Sequence, residues 1–297
     1  MRRIDFIALS DRVTQVVDRH LIAVAEKEIF HQDILFALGE AGLLSGLVFH
    51  GGTALRLCYG GVRYSEDLDF AGGRDFDPAS MLQMKKIIES HLSARYGLTN
   101  VVRGPKSTAG TGADGIAVHK WMVSIETAPK RPDIPRQRIK LEVADVSTCT
   151  SDTLPILNPY PNALPGYGRL LVNAESLPEI MADKLLSLTS LKYPRYRDIW
   201  DLAWMHQNRV SPDGALMTAK LAEYRVSDFG ERIEKIQANV RELTHSEGYA
   251  QAMGRFLAGR DLVWALSEHG KNAQADQVIR LYDALKREPS FSLDGPT

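Results

Sequence analysis

The chain has 297 residues, 44% of them hydrophobic and 25% charged, enough to bury a sizeable core and to make one large or two ordinary domains. A net charge of −1 argues against the uniformly positive surface of a general duplex-DNA binder and leaves room for local basic patches only. Two cysteines, Cys58 and Cys149, support neither a disulfide framework nor a cysteine-ligated metal; no run approaches the roughly 18 apolar residues of a membrane span, and the start MRRIDFIALSDRV lacks a signal peptide's apolar stretch, so a cytoplasmic location is the default expectation.

Leu21, Ile22, Val24, Ala25, Ile29, Ile34, Leu35 and Leu38 recur at three- and four-residue spacings, and they predict helix over much of the first 40 residues. Gly39 and Gly42 interrupt it. The short apolar run GLVFH from Gly46 suits a buried strand, and Gly51-Gly52 turns the chain into a helical segment, TALRLCY, which Gly60-Gly61 ends. In VRYSEDLDF, Leu68 and Phe70 alternate with Asp67 and Asp69, predicting a strand with one acidic face. Asp77 is placed to cap a helix that opens at Pro78 and carries Met81, Met84, Ile87, Ile88 and Leu92 as far as Tyr96-Gly97. A Gly/Ser/Thr-rich loop then leads to the strand IAVHKWMVSIET, and a basic, proline-containing connection leads to the strand RIKLEVADVS, so the two are expected to be neighbours in one sheet.

Residues 151–170 carry prolines and glycines without periodicity and read as a connection between domains. Beyond Glu175 helical spacing runs to about Glu288, over Leu177–Tyr193, Asp198–Gln207, Pro212–Tyr224, Ser227–Leu243, Gln251–His269 and roughly Asn272–Lys286. The expected architecture is α/β (α+β), a mixed-sheet domain with N-terminal helices over residues 1–172 followed by an all-helical domain over 173–297.

The chemistry gathers around the acids. In an extended strand, side chains two apart point the same way, so Asp67 and Asp69 present two carboxylates about 7 Å apart at Cα. Their repulsion is relieved by a hard divalent cation with oxygen ligands, of which magnesium is the usual one where phosphates are handled. In RIKLEVADVS, Ile139, Leu141 and Val143 form one face and Arg138, Lys140 and Glu142 the other. If the strands pair, Glu142 joins the two aspartates on one polar surface; the alternative is a cross-strand salt bridge with a lysine or arginine. Upstream, HGGTAL offers glycines that allow close backbone approach and a helix start with free N–H groups, to which Thr53 can add a hydroxyl. His50 reads as a core histidine at a strand end, and Lys184, on an ordinary amphipathic helix, as a solvated lysine.

Taken together, HGGTALRLCYGGVRYSEDLDF resembles the AbiEii/AbiGii toxin family, the nucleotidyltransferase-like toxins of bacterial type IV toxin–antitoxin and abortive-infection systems. The likeness extends through Arg63-x-Ser65-x-Asp67-x-Asp69, Lys140-Leu141-Glu142, Lys184 and Arg197-Asp198-x-x-Asp201, all in the family's order. It implies a polymerase-beta-like nucleotidyltransferase domain joined to a helical domain, with the active site in the cleft between them. It also implies that Gly51, Gly52 and Thr53 cradle the triphosphate of an NTP substrate, that Asp67, Asp69 and Glu142 ligate Mg2+ in one or two ions, and that Arg63 and Ser65 position phosphate or metal ligands. Glu142 is also a candidate base. Lys184 would neutralise triphosphate charge and Asp198 contact nucleotide, metal or acceptor, although Asp198 and Asp201 can equally pair with Arg195 or Arg197 across their helix.

A cognate antitoxin is the partner this implies, and related toxins modify the 3′ end of tRNA. Arg131, Arg136, Arg138, Lys140, Lys192, Arg195 and Arg197 then form a candidate track for an RNA backbone, or are solvated loop charges. Two other readings compete: a nucleotidyltransferase with a small-molecule acceptor, as in the aminoglycoside enzymes, and a nucleotide-binding regulator without turnover.

Overall fold

The computed structural model describes residues 3–105, 116–131, 133–160, 170–190 and 193–291. Most of the predicted Gly/Ser/Thr-rich loop, residues 161–169 of the proline-rich stretch, and Lys192 lie outside the described residues. The chain forms two compact units: Met1–Gly60 with Tyr64–Ala174, and Gly61–Arg63 with Glu175–Thr297.

In the first unit Asp5 caps α1 (Phe6–Thr14) by accepting from the Ile7 and Ala8 N–H groups, and a short turn leads to α2 (Ile22–Glu40). Strand β1 (Val48–His50) runs directly into α3 (Gly51–Tyr59), which Gly60 closes at φ +75°. Strand β2 (Leu68–Ala71) is shorter than the alternation suggests. Arg63, Tyr64 and Ser65 are consecutively buried, and the Asp67 carbonyl is taken by the Thr53 hydroxyl, so the chain is held by side chains instead of a strand ladder until Leu68. Asp77 caps a 3₁₀ turn at Pro78–Met81, accepting from the Ala79 N–H, and α4 (Met84–Tyr96) follows.

Strands β3 (Asn100–Arg103), β4 (Val118–Ile125), β5 (Gln137–Ala144), β6 (Ser151–Pro155) and β7 (Leu171–Glu175) complete a mixed sheet in the order β3-β4-β5-β2-β1-β7-β6. The expected pairing of β4 with β5 is antiparallel, whereas β2 with β5 and β1 with β7 are parallel. The stretch from residue 151, expected to be a connection, opens with β6. This is an edge strand with four of its five residues exposed, so it carries no apolar alternation.

Leu68, Phe70, Leu141 and Val143 are fully buried on one face of the sheet, and Phe70 stacks on Phe49 with ring centroids 5.1 Å apart. Helix α2 is anchored against this unit by apolar contacts, including Phe30, which stacks on Phe6 at 4.7 Å and meets the Tyr96 ring edge-on.

The second unit is helical: α5 (Leu177–Leu188), α6 (Tyr196–Gln207), α7 (Gly214–Glu223), α8 (Phe229–His245), α9 (Glu247–Phe256), α10 (Gly259–Leu266) and α11 (Glu268–Leu285). The Ser176 hydroxyl accepts from the Glu179 N–H to start α5. The single helix expected over residues 251–269 is split across α9, α10 and the start of α11. Leu257 and Ala258 are extended, Gly259 has φ +47°, and Ser267 caps a fresh start at α11. Its core includes Ile180, Leu185, Ile199, Leu202, Tyr249 and Tyr282, whose hydroxyl donates to the Leu185 carbonyl at 2.8 Å. Among the described residues no helix is long and apolar enough to cross a membrane.

Since Phe70 fills the layer directly beneath the acidic face, Phe70→Ala is expected to cost about 3–5 kcal/mol of stability in urea unfolding. A loss below about 1 kcal/mol would show that this face does not rest on a packed core.

Candidate active site

The start of α3 is fixed from behind. Glu28 of α2 is 2% exposed and takes both Arg56 of α3, as a fork, and the Tyr160 hydroxyl at 2.6 Å. Burying the carboxylate costs little because each oxygen is met by a donor. No side chain caps α3 and no acid sits in its first turn, which leaves first-turn N–H groups and a positive dipole end to an outside acceptor.

Gly51 and Gly52 open that turn, both half-buried. At Gly51 φ is +77°, and a Cβ built there would stand 3.2 Å from Asp69 Oδ2. Glycine is needed twice over at this position: an L side chain resists the dihedral and would press on the carboxylate.

Two of the acids share a face as their periodicity requires. In the parallel β2–β5 pair Asp69 is the register partner of Glu142, so both side chains stand on the face opposite Leu68, Phe70, Leu141 and Val143. Asp67 lies one residue before β2, not within it, and its carboxylate shares a lysine with Glu142. Lys140 Nζ is 3.2 Å from Asp67 Oδ2 and 3.4 Å from Glu142 Oε1. Burial works against the charged Lys140 ammonium, but Asp67, Glu142 and Asp69 outweigh it and raise its pKa. The cross-strand salt bridge considered for Glu142 is also present, with Lys120 Nζ at 2.9 Å. Even so, Glu142 Oε1 is buried without a hydrogen bond of proper geometry.

Of the predicted triphosphate and ligand-positioning set, Thr53 and Arg63 are turned elsewhere and Ser65 is buried. Thr53 is 1% exposed and its hydroxyl donates to the Asp67 carbonyl, so the side chain holds the acidic segment instead of offering a hydroxyl to a ligand. Ser65 is buried at 8%. Arg63 belongs to the second unit, where it forms a fork on Asp201 with both N···O distances 2.7 Å.

That unit contains a buried ion network. Lys184, 7% exposed, places Nζ 2.8 Å from Asp198 Oδ1 and 2.7 Å from Asp201 Oδ2, and Ser187 donates to the other Asp198 oxygen at 3.0 Å. The two aspartates are thus paired with Lys184 and Arg63, not with Arg195 or Arg197; Arg197 lies over the Phe256 ring at 5.3 Å. Nor is Lys184 a solvated helix lysine. Burial opposes its charge, but Asp198 and Asp201 raise its pKa. Burial likewise opposes the Asp201 carboxylate, and Arg63 with Lys184 hold it well below the usual carboxylate range.

A family model described as the AbiEii nucleotidyl transferase toxin of type IV toxin–antitoxin systems matches residues 33–281, which include the residues of both clusters. The chain belongs to the AbiEii family. It is therefore a nucleotidyltransferase toxin, and membership implies an antitoxin partner and an NTP substrate. No curated protein matches the sequence. Among solved structures, the AbiEii chain is similar to the nucleotidyltransferase toxin MenT4 from Mycobacterium tuberculosis H37Rv, with a TM-score of 0.57 and 18% identity over 96% of this chain and 90% of that one. It is also similar to JHP933 from Helicobacter pylori, with a TM-score of 0.50 and 17% identity over 89% and 94% of the two chains. At these identities the likeness bears on the fold.

Asp201 has a depressed folded pKa, so it contributes stability that is present above the unfolded value near 4 and is lost as pH falls toward the folded one. Asp201→Asn in the AbiEii toxin leaves Arg63 without its fork, and is expected to cost about 3–5 kcal/mol at pH 7. The gap to wild type should narrow as the pH drops below about 4. Thermal unfolding across pH checks this, and equal melting of the two proteins at pH 7 would contradict it.

Proposed function

We propose that this toxin is a magnesium-dependent enzyme that transfers the nucleoside monophosphate of an NTP to an RNA hydroxyl, the 3′ end of tRNA being the acceptor. The observation that carries the reading is the register pairing of Asp69 with Glu142, with Asp67 drawn to the same place through Lys140 and Gly51 set against Asp69. Asp69 and Glu142 on one face, with Asp67 linked to Glu142 through Lys140, are hard oxygen donors of the kind magnesium takes, and Glu142 Oε1 already faces positive charge from Lys120 and Lys140.

In this reading Asp67, Asp69 and Glu142 hold the metal. When bound, magnesium supplies positive charge to the attacking and leaving oxygens of an in-line displacement. The first-turn N–H groups of Gly51, Gly52 and Thr53 bind triphosphate oxygens at the positive end of α3. Glu142 accepts the proton of the acceptor hydroxyl as its oxygen bonds to the α-phosphorus; the bond to the bridging oxygen breaks and pyrophosphate leaves. Thr53 acts through its side chain on Asp67. Lys184 and Asp198, for which the sequence resemblance implies nucleotide contacts, are held in the second unit's ion network, where Arg63 fixes Asp201.

An RNA acceptor suits the cations that share the acidic face. Lys120, 61% exposed, pairs in register with Glu142, and the exposed Arg138 stands two residues before Lys140. Arg131 and Arg136 fit a backbone track less well, because each is paired locally, with Asp133 and with Glu126.

Incubation with each NTP labelled at the α-phosphate, with magnesium and total tRNA, is expected to put label on tRNA. The Asp67→Ala/Asp69→Ala double variant should lose at least about 10³-fold of that transfer. Label appearing only on small acceptors would replace the RNA reading, and transfer surviving the double variant would end the metal reading.

A further inference from the structure

The residue before Asp67 is gripped twice by one turn of α2. Lys27 and His31 stand four apart on that helix, the spacing that puts two side chains on one face. Lys27 Nζ forms an ion pair with the Glu66 carboxylate, and His31 Nε2 lies 2.9 Å from the Glu66 carbonyl oxygen. The next carbonyl along, that of Asp67, receives the Thr53 hydroxyl from α3. Two successive peptide carbonyls are thus held by side chains from two helices, at a point where the chain has not yet joined the sheet.

The histidine is held in one chemical form. A carbonyl only accepts, so the ring proton sits on Nε2. His31 is fully buried, its Nδ1 has no hydrogen-bond partner, and burial pushes the imidazole down to about 4, leaving it neutral at pH 7. An apolar residue at this position would leave the Glu66 carbonyl without this donor. Histidine serves here as a fixed donor aimed at Glu66.

We propose that His31, together with the Thr53 hydroxyl, is a positioning residue for Asp67: by holding the Glu66 and Asp67 carbonyls, the pair sets the direction in which the Asp67 carboxylate meets the metal. The inference rests on Asp67 being a metal ligand. Outer groups that orient a ligand typically account for ~10- to 100-fold in metal affinity.

The test follows Mn2+ binding to the full chain by electron paramagnetic resonance of the free ion, with circular dichroism to establish folding. His31→Met removes the donor at similar volume, and His31→Gln returns an amide N–H near the place of Nε2. Folded His31→Met is expected to bind Mn2+ ~10- to 100-fold more weakly, with His31→Gln closer to wild type than to His31→Met. Wild-type affinity in folded His31→Met overturns the proposal, as does equal loss in both variants, which would make His31 a packing residue. Should His31→Met fail to fold, Thr53→Val against Thr53→Ser is read the same way, with loss in the valine variant alone supporting the proposal and wild-type affinity in it overturning it. Wild type binding no better than Asp67→Asn/Asp69→Asn is a separate pattern; it removes the metal reading itself, and this inference with it.

Discussion

The constraint on which the first unit turns is the register of two parallel strands. Setting Leu68 beside Leu141 and Phe70 beside Val143 buries four side chains on one face, and the same register forces Asp69 and Glu142 together on the other. A slip of one residue would bury the acids and expose the core, so packing on one side holds like charges together on the other. The repulsion that results is offset locally by Lys140 and Lys120. Gly51 completes the arrangement because only a residue without a side chain lets the start of α3 come this close to Asp69.

The two units hold charge in different ways. In the second, Arg63, Asp201, Lys184 and Asp198 are enclosed, each with named partners at 2.7–2.8 Å, and breaking one pair strands another. On the first unit's acidic face the groups are partly solvated, Asp67 and Lys140 each about a third exposed, and their mutual contacts are longer. Such contacts are exchanged at little cost, which suits the proposed role of these groups in taking up a cation and a nucleotide.

Much of this was legible in the chain. The alternation of Leu68 and Phe70 with the aspartates, and of Ile139, Leu141 and Val143 with Arg138, Lys140 and Glu142, fixed which face each acid would occupy, and mixed α/β structure followed by helices is what formed. What escaped had no local signal. Strand β3 is four residues long, β6 is polar and exposed, and β7 takes its place between β1 and β6. Arg63 and Asp201 are 138 residues apart, so their fork has no periodicity to betray it. A hydroxyl after two glycines suggests a ligand group at Thr53, and only the fold shows its hydroxyl turned to the Asp67 carbonyl. For His31 the one available hint was its spacing from Lys27.

Family membership accounts for the class of reaction, and the local geometry supports the proposal that these acids serve it. The proposed convergence of Asp67, Asp69 and Glu142 on a metal is tested most directly by a crystal structure with manganese and a non-hydrolysable NTP analogue. The account predicts an anomalous peak within about 2.5 Å of an oxygen from each of the three carboxylates, with the analogue's phosphates at the start of α3. A metal peak away from this face, or a Glu142 side chain directed to the opposite side of the sheet from Asp69, would contradict it.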